Sequence, residues 1–242
     1  MRSRLLFALV WMTLSLPLPG REASSFIRGH RDAWYPVWEQ YGVQPKIAES
    51  VVYPEILRYV HHAGAFDRMQ TALVHGTYLA TGGGGFDLSI GYFQMKPSFA
   101  EQIENESIKC GLAAQYGLRF DTIDHSDARD ARMARLSDEK WQCIYLALFM
   151  KLLYRSFGSF DADGNRIREG LDALPTEEQV RLIAAAYNRG CRDFSAPGTG
   201  DLERLRLAAR VKSFHLGLYR TVVKDLYRYS DVAADWYGEI SQ

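Results

Sequence analysis

Apolar and polar residues follow helical periods along most of this chain. Val180, Ile183, Ala184 and Tyr187 fall at i, i+3, i+4 and i+7. Trp34 and Trp38 repeat at the same step within Phe26–Gln40 and are expected in the core, with Tyr41 just after them. Gly42 breaks that helix, and Pro45 suits the first turn of the next, which runs to Tyr59. Phe66, Met69, Leu73 and Tyr78 outline a further helical stretch, closed by the glycines 82–85, which predict a loop. Ser98 is expected to cap a helix beginning near Phe99 with Glu101 in its first turn. Cys110 to Arg135 reads as loops with one or two short helices.

Ser137 is the expected cap of a helix ending at Gly158. That helix is apolar on nearly every side (Trp141, Ile144, Tyr145, Leu148, Phe149, Leu152), as a buried central helix must be. Thr176 and Gln179 predict a capping box on the helix that Gly190 terminates. A long helical run from Leu202 to Tyr229 and an aromatic tail with Trp236 and Tyr237 complete a mainly α chain, read as one domain.

Composition narrows the function classes. Lys plus Arg and Asp plus Glu number 29 each, so no net field favours nucleic acid. Arg2 and Arg4, the apolar run Leu5–Leu16 and the breaking Pro17–Gly20 form an export signal, too short to span a bilayer. Cleavage between Gly20 and Ser24 is expected, making 1–23 the signal peptide and 24–242 the mature domain, exported to the periplasm or cell envelope without a transmembrane span. An uncleaved anchor is the alternative. Of the three cysteines, Cys110 is expected to pair with Cys143 and leave Cys191 odd, with three free thiols as the rival.

Other chemistry finds no support. His61 and His62 are adjacent and face different sides of a helix, and the cysteines lack metal-site spacing. Phe160–Ile167 lacks the closing acid of an EF-hand, so Asp163-Gly164 reads as a tight turn. No Gly-Lys-Ser/Thr follows the glycine run, and no Gly-x-Ser-x-Gly elbow occurs. No metal or cofactor is expected.

Two glutamates remain, on the helix after Gly42. Ile47, Ala48, Val51, Val52, Ile56 and Tyr59 define an apolar arc at ~100° per residue. Glu55 falls near its middle and Glu49 beyond its edge. A carboxyl on an apolar face loses solvation, which raises its pKa as a general acid requires. Glu49, on the wet flank, is expected to be an ordinary surface carboxylate. Pro54 can kink or restart the helix just before Glu55, and pairing with Arg58 is the structural alternative for that carboxyl.

Three segments together resemble the soluble lytic transglycosylases, lysozyme-like enzymes that cleave peptidoglycan glycan strands. The family shows G-V-x-P, an apolar run and Glu-Ser, then Gly-Leu-Met-Gln, often with a following proline, and later Ala-Tyr-Asn-Ala-Gly. Here GVQP begins at Gly42, GYFQMKP at Gly91 and AYNRG at Ala186. Counted from Val43, the family register puts the catalytic glutamate at Glu55, while Glu49-Ser50, which reproduces the dipeptide, stands too early.

The resemblance implies a mainly α, lysozyme-like domain of the goose-type and transglycosylase kind, acting without cofactor on peptidoglycan glycan strands. Glu55 would be the single acid and base, Gln94 would bind substrate or orient Glu55, and Tyr187 and Asn188 would line the cleft. Ile56 stands where the family has serine, with Ser89 as candidate substitute. The interval from Glu55 to Gly91 is longer than the family's. The family's late tyrosine has no clear match, Tyr219 and Tyr227 being the candidates. Asp87 keeps open an inverting hydrolase, activating water opposite Glu55, although a turn-bracing role also suits it. A non-catalytic glycan-binding envelope protein is the alternative outside enzymes.

Overall fold

The structure is a computed structural model describing residues 19–62, 75–82, 87–160, 166–168, 170–189, 201–211 and 227–242. It is mainly helical. In chain order it contains α1 (Pro19–Gln40), α2 (Pro45–His62), a helical stretch over 75–81, α3 (Pro97–Lys109), α4 (Leu112–Gln115), α5 (Ser126–Ser137) and α6 (Glu139–Phe157). The antiparallel pair β1 (Ser159–Phe160) and β2 (Arg166–Arg168) follows, then a 3-10 turn at Leu171–Ala173, α7 (Thr176–Arg189), α8 (Leu202–Ala209) and α9 (Tyr229–Ser241).

The centre is α6, whose buried residues lie on every side of the helix, as its composition requires. It packs against α1, α3 and α5. On the other side of the molecule α2 is enclosed by α1, α7 and α9. Trp34 and Trp38 are fully buried between these layers. Gly42 ends α1 in the left-handed region (φ 63°), with Val43 N–H donating to Trp38 O.

Several local expectations are corrected. The helix α3 starts at Pro97, preformed for the first helical position, so Ser98 lies inside it and Lys96 takes the N-cap place. Ser137 ends α5, and Asp138 caps α6 by accepting from Trp141 N. Gln179 makes no capping box: its amide donates to Leu174 O and accepts from Tyr154 Oη. The helix that begins at Leu202 ends at Ala209, residues 212–226 of the expected run lie outside the described residues, and the aromatic tail is itself the helix α9. Cys110 and Cys143 are free thiols, half-buried and buried. Pro54 lies inside an α2 that stays helical from Pro45 to His62.

The segment 1–18, the glycines 83–85 with Phe86, the turn at Asp163-Gly164, the terminator Gly190, Cys191 and Tyr219 lie outside the described residues. So do Phe66, Met69 and Leu73 and the side chains of His61 and His62. Ala23, within the expected cleavage region, is helical and fully buried in the core.

Candidate active site

From Ile47 to Leu57 every residue of α2 is buried, so this helix has no wet flank at that level. That enclosure overturns the surface assignment of Glu49, which is fully buried. Its carboxylate accepts from Arg31 Nε at 2.8 Å and Nη2 at 2.7 Å, from Tyr35 Oη at 2.6 Å and from Trp236 Nε1 at 2.8 Å. Those partners come from α1 and α9, so Glu49 is the polar rivet between three helices. A carboxylate with four donors is fully satisfied and has no group left for chemistry. Arg31 gains from the same contact, its pKa held above the usual arginine value by the hydrogen bond to Glu49.

Glu55, two turns on, meets a different environment. It is 5% exposed and lines a cleft of about 640 Å³. Burial raises its carboxyl above the ordinary carboxylate range, opposed by the charge and hydrogen bond of Arg58 and by a hydrogen bond from Asn188. Arg58 Nη1 stands 3.0 Å from Oε2. The predicted pairing with Arg58 and the predicted raised pKa therefore coexist at one carboxyl.

The opposite wall is the tight turn Ile90–Met95. Ile90 and Met95 exchange both backbone hydrogen bonds, and Gly91 (φ 71°) and Gln94 (φ 51°) are both left-handed. Gly91 cannot carry a side chain: an added Cβ would lie 1.9 Å from Gln142 Nε2. That buried Gln142 of α6 accepts from Phe93 N at 2.9 Å and donates to Leu136 O at 2.8 Å, clamping the turn from beneath. Gln94 donates its amide to Gly91 O at 2.7 Å, which offsets the strain of a non-glycine residue at positive φ and aims the side chain into the cleft wall.

Tyr187 and Asn188 close the third side from the end of α7. Tyr187 is buried and donates to Phe93 O at 2.6 Å, locking the helix end to the turn. Phe99 and Phe149 pack edge-on against its ring, with centroids 5.8 and 5.5 Å away. Its phenol is pushed well above the usual range by burial and by the charge of Glu55, so it stays a neutral donor.

Asp87 and Ser89 line the same cleft. Asp87 accepts from Ser98 N at 3.1 Å and Ser98 Oγ at 2.6 Å, which braces the start of α3. All six residues predicted for the site, Glu55, Asp87, Ser89, Gln94, Tyr187 and Asn188, thus line one cleft, together with Arg58, Lys96, Ser98, Phe99, Gln102 and Arg189. Ile56 is fully buried in the core.

Tyr229 was missed. It is 1% exposed at the start of α9 and donates to Val51 O at 3.0 Å, one turn before Glu55. Burial raises its phenol, and the charge of Glu55 raises it further. Of the two candidates for a late tyrosine, Tyr227 is exposed. The periodicity Tyr229, Ala233, Trp236 (i, i+4, i+7) marks Tyr229 as the inward residue of an amphipathic helix. Among the described residues no cluster of His, Cys, Asp and Glu could hold a metal ion, and no helix is long and apolar enough to cross a membrane. Comparison with family models, with curated proteins and with solved structures found no match to this chain.

Proposed function

We propose that this protein is an exported lytic transglycosylase with a lysozyme-like domain, cutting the bond between N-acetylmuramic acid and N-acetylglucosamine in peptidoglycan. The observation that carries the reading is the buried carboxyl of Glu55 in an open cleft, faced by amide and phenol groups, with its pKa raised by burial. A glycosidase acid needs that shift to hold its proton near neutral pH.

Protonated Glu55 donates to the glycosidic oxygen, the bond from muramic C1 to that oxygen breaks, and N-acetylglucosamine leaves with its 4-hydroxyl. The Glu55 carboxylate then takes the proton of the muramic 6-hydroxyl as O6 bonds to C1, giving the 1,6-anhydro ring and regenerating the acid. No water is consumed, so no second carboxylate is required. Asn188, bonded to Glu55, fixes the carboxyl. Tyr187 and Gln94 hold the turn that forms the other wall.

An inverting hydrolase would need Asp87 as base. Both its oxygens already accept from Ser98, which favours the bracing role. Digestion of purified peptidoglycan, with products analysed by mass, tests the proposal. The wild-type protein should release anhydro-muropeptides and Glu55→Gln should release none. Reducing-end products would make it a hydrolase, and binding without cleavage an envelope glycan-binding protein.

A further inference from the structure

The cleft carries more positive charge than a neutral sugar strand calls for. Arg58, Lys96 and Arg189 line it against Glu55 and Asp87. Lys96 and Arg189 are exposed at its rim, and Lys96 Nζ lies 3.9 Å from an Asp87 already held by Ser98. Arg58 spans the depth between: its side chain is 41% exposed while the Glu55 side chain it touches is 6% exposed. The cation therefore sits on the solvent side of the buried carboxyl, where an incoming strand must meet it.

We propose that Arg58 is a positioning and specificity residue whose guanidinium passes from Glu55 to a carboxylate of the bound strand, leaving Glu55 to take up its catalytic proton as the strand docks. This rests on the transglycosylase reading above. The chemistry recognised is a carboxylate on the glycan, carried by the muramic lactyl ether or by an attached stem peptide. A planar guanidinium suits that group because it donates two parallel hydrogen bonds.

The groups facing Glu55 come from three elements: Arg58 on α2, Tyr187 and Asn188 on α7, and Tyr229 on α9. Both phenols are held neutral, so Arg58 is the one charged group among these neighbours. In the free cleft it offsets the cost of a buried carboxylate. Once it turns to the strand, burial is opposed only by the weaker hydrogen bond of Asn188, and the carboxylate takes a proton from solvent water, with no heavy-atom covalent bond made or broken in that step.

The test uses glycan strands in three forms: stem peptides attached, stem peptides removed so that the lactyl carboxylates are free, and peptide-free strands neutralised as methylamides. Wild type should show a KM about tenfold lower on a carboxylate-bearing form than on the neutral form, the scale of one charge-assisted hydrogen bond. Which of the two carboxylate-bearing forms gains identifies the source.

On that form the alkaline limb of kcat should lie at higher pH than that of kcat/KM, because the strand removes Arg58 from Glu55. In Arg58→Gln the KM preference should vanish and the two limbs should coincide at the higher pH. Arg58→Lys should restore the preference in part, which excludes simple misfolding. Arg189→Gln should raise KM without moving either limb. Equal KM on all three strand forms, or limbs unmoved in Arg58→Gln, would overturn the proposal while the enzyme stands. Absence of anhydro product from every form with the wild-type protein would overturn the transglycosylase reading itself.

Discussion

At Glu55 burial and a neighbouring cation pull in opposite directions, and burial wins. The sign fixes a stability profile. A carboxyl whose folded pKa lies above its unfolded value of about 4.5 favours the fold below that value. The contribution is lost as pH rises through the folded pKa. Glu55→Gln, which cannot ionise, should therefore gain in melting temperature relative to wild type as pH is raised from acid to mildly alkaline. Parallel melting curves across the series would contradict the raised pKa.

Glu49→Gln should destabilise the fold. It strands Arg31 and weakens the joint of α1, α2 and α9, at a cost of about 3 kcal/mol by denaturant unfolding. The cleavage chemistry should survive at temperatures where the variant is folded. The contrast between these glutamates also marks the limit of the helical wheel. Apolar spacing located Glu55 on an inward face, but a wheel assumes one wet side. α2 is covered by three helices, two of them from distant parts of the chain, so the burial of Glu49 depends on contacts that no local pattern encodes.

Among the elements, the Ile90–Met95 turn and the docking of α9 decide the shape of the cleft. Gly91→Ala places a methyl where Gln142 Nε2 now sits and forces a strained backbone. Ala at Gly111 (φ 77°) bears the same backbone strain but meets no neighbour, so Gly91→Ala should cost activity far more. Comparing specific activity and far-UV circular dichroism of the two variants checks this, and equal activities would remove the turn from the account.

The ring of Trp236 stacks on Tyr53 at 4.2 Å between centroids while its Nε1 holds Glu49. Trp236→Ala should destabilise the protein by about 4 kcal/mol in urea unfolding. An effect below about 1 kcal/mol would show that α9 is a dispensable appendage. Gly91, Gln94 and the end of α7 were legible only through the resemblance, as motif residues in a fixed order. The Gln142 clamp was not, since nothing in the sequence tells a buried glutamine on a helix from an exposed one. The boundary at Ser137–Asp138 was misplaced because two adjacent residues can both cap, and the preceding helix α5 decides between them.

Over the whole molecule, the mainly α class and the central position of α6 follow from hydrophobic periodicity, and the structure bears both out. The expected Cys110–Cys143 pair fails because oxidation state cannot be read from spacing when both residues sit on packed helical segments; Cys143 is buried in α6. The assembly of a cleft from α2, the Ile90–Met95 turn and α7 is a tertiary fact, anticipated through the resemblance and not through any pattern within one segment.

The central claim is that one buried carboxyl, Glu55, performs both proton transfers without water as a reactant. Digestion of peptidoglycan in 18O-water, with mass analysis of the new ends, tests it most directly. Wild type should yield 1,6-anhydro-muramic ends free of 18O, and Glu55→Gln should yield no new ends. Reducing ends labelled with 18O, or full activity in Glu55→Gln, would contradict the account.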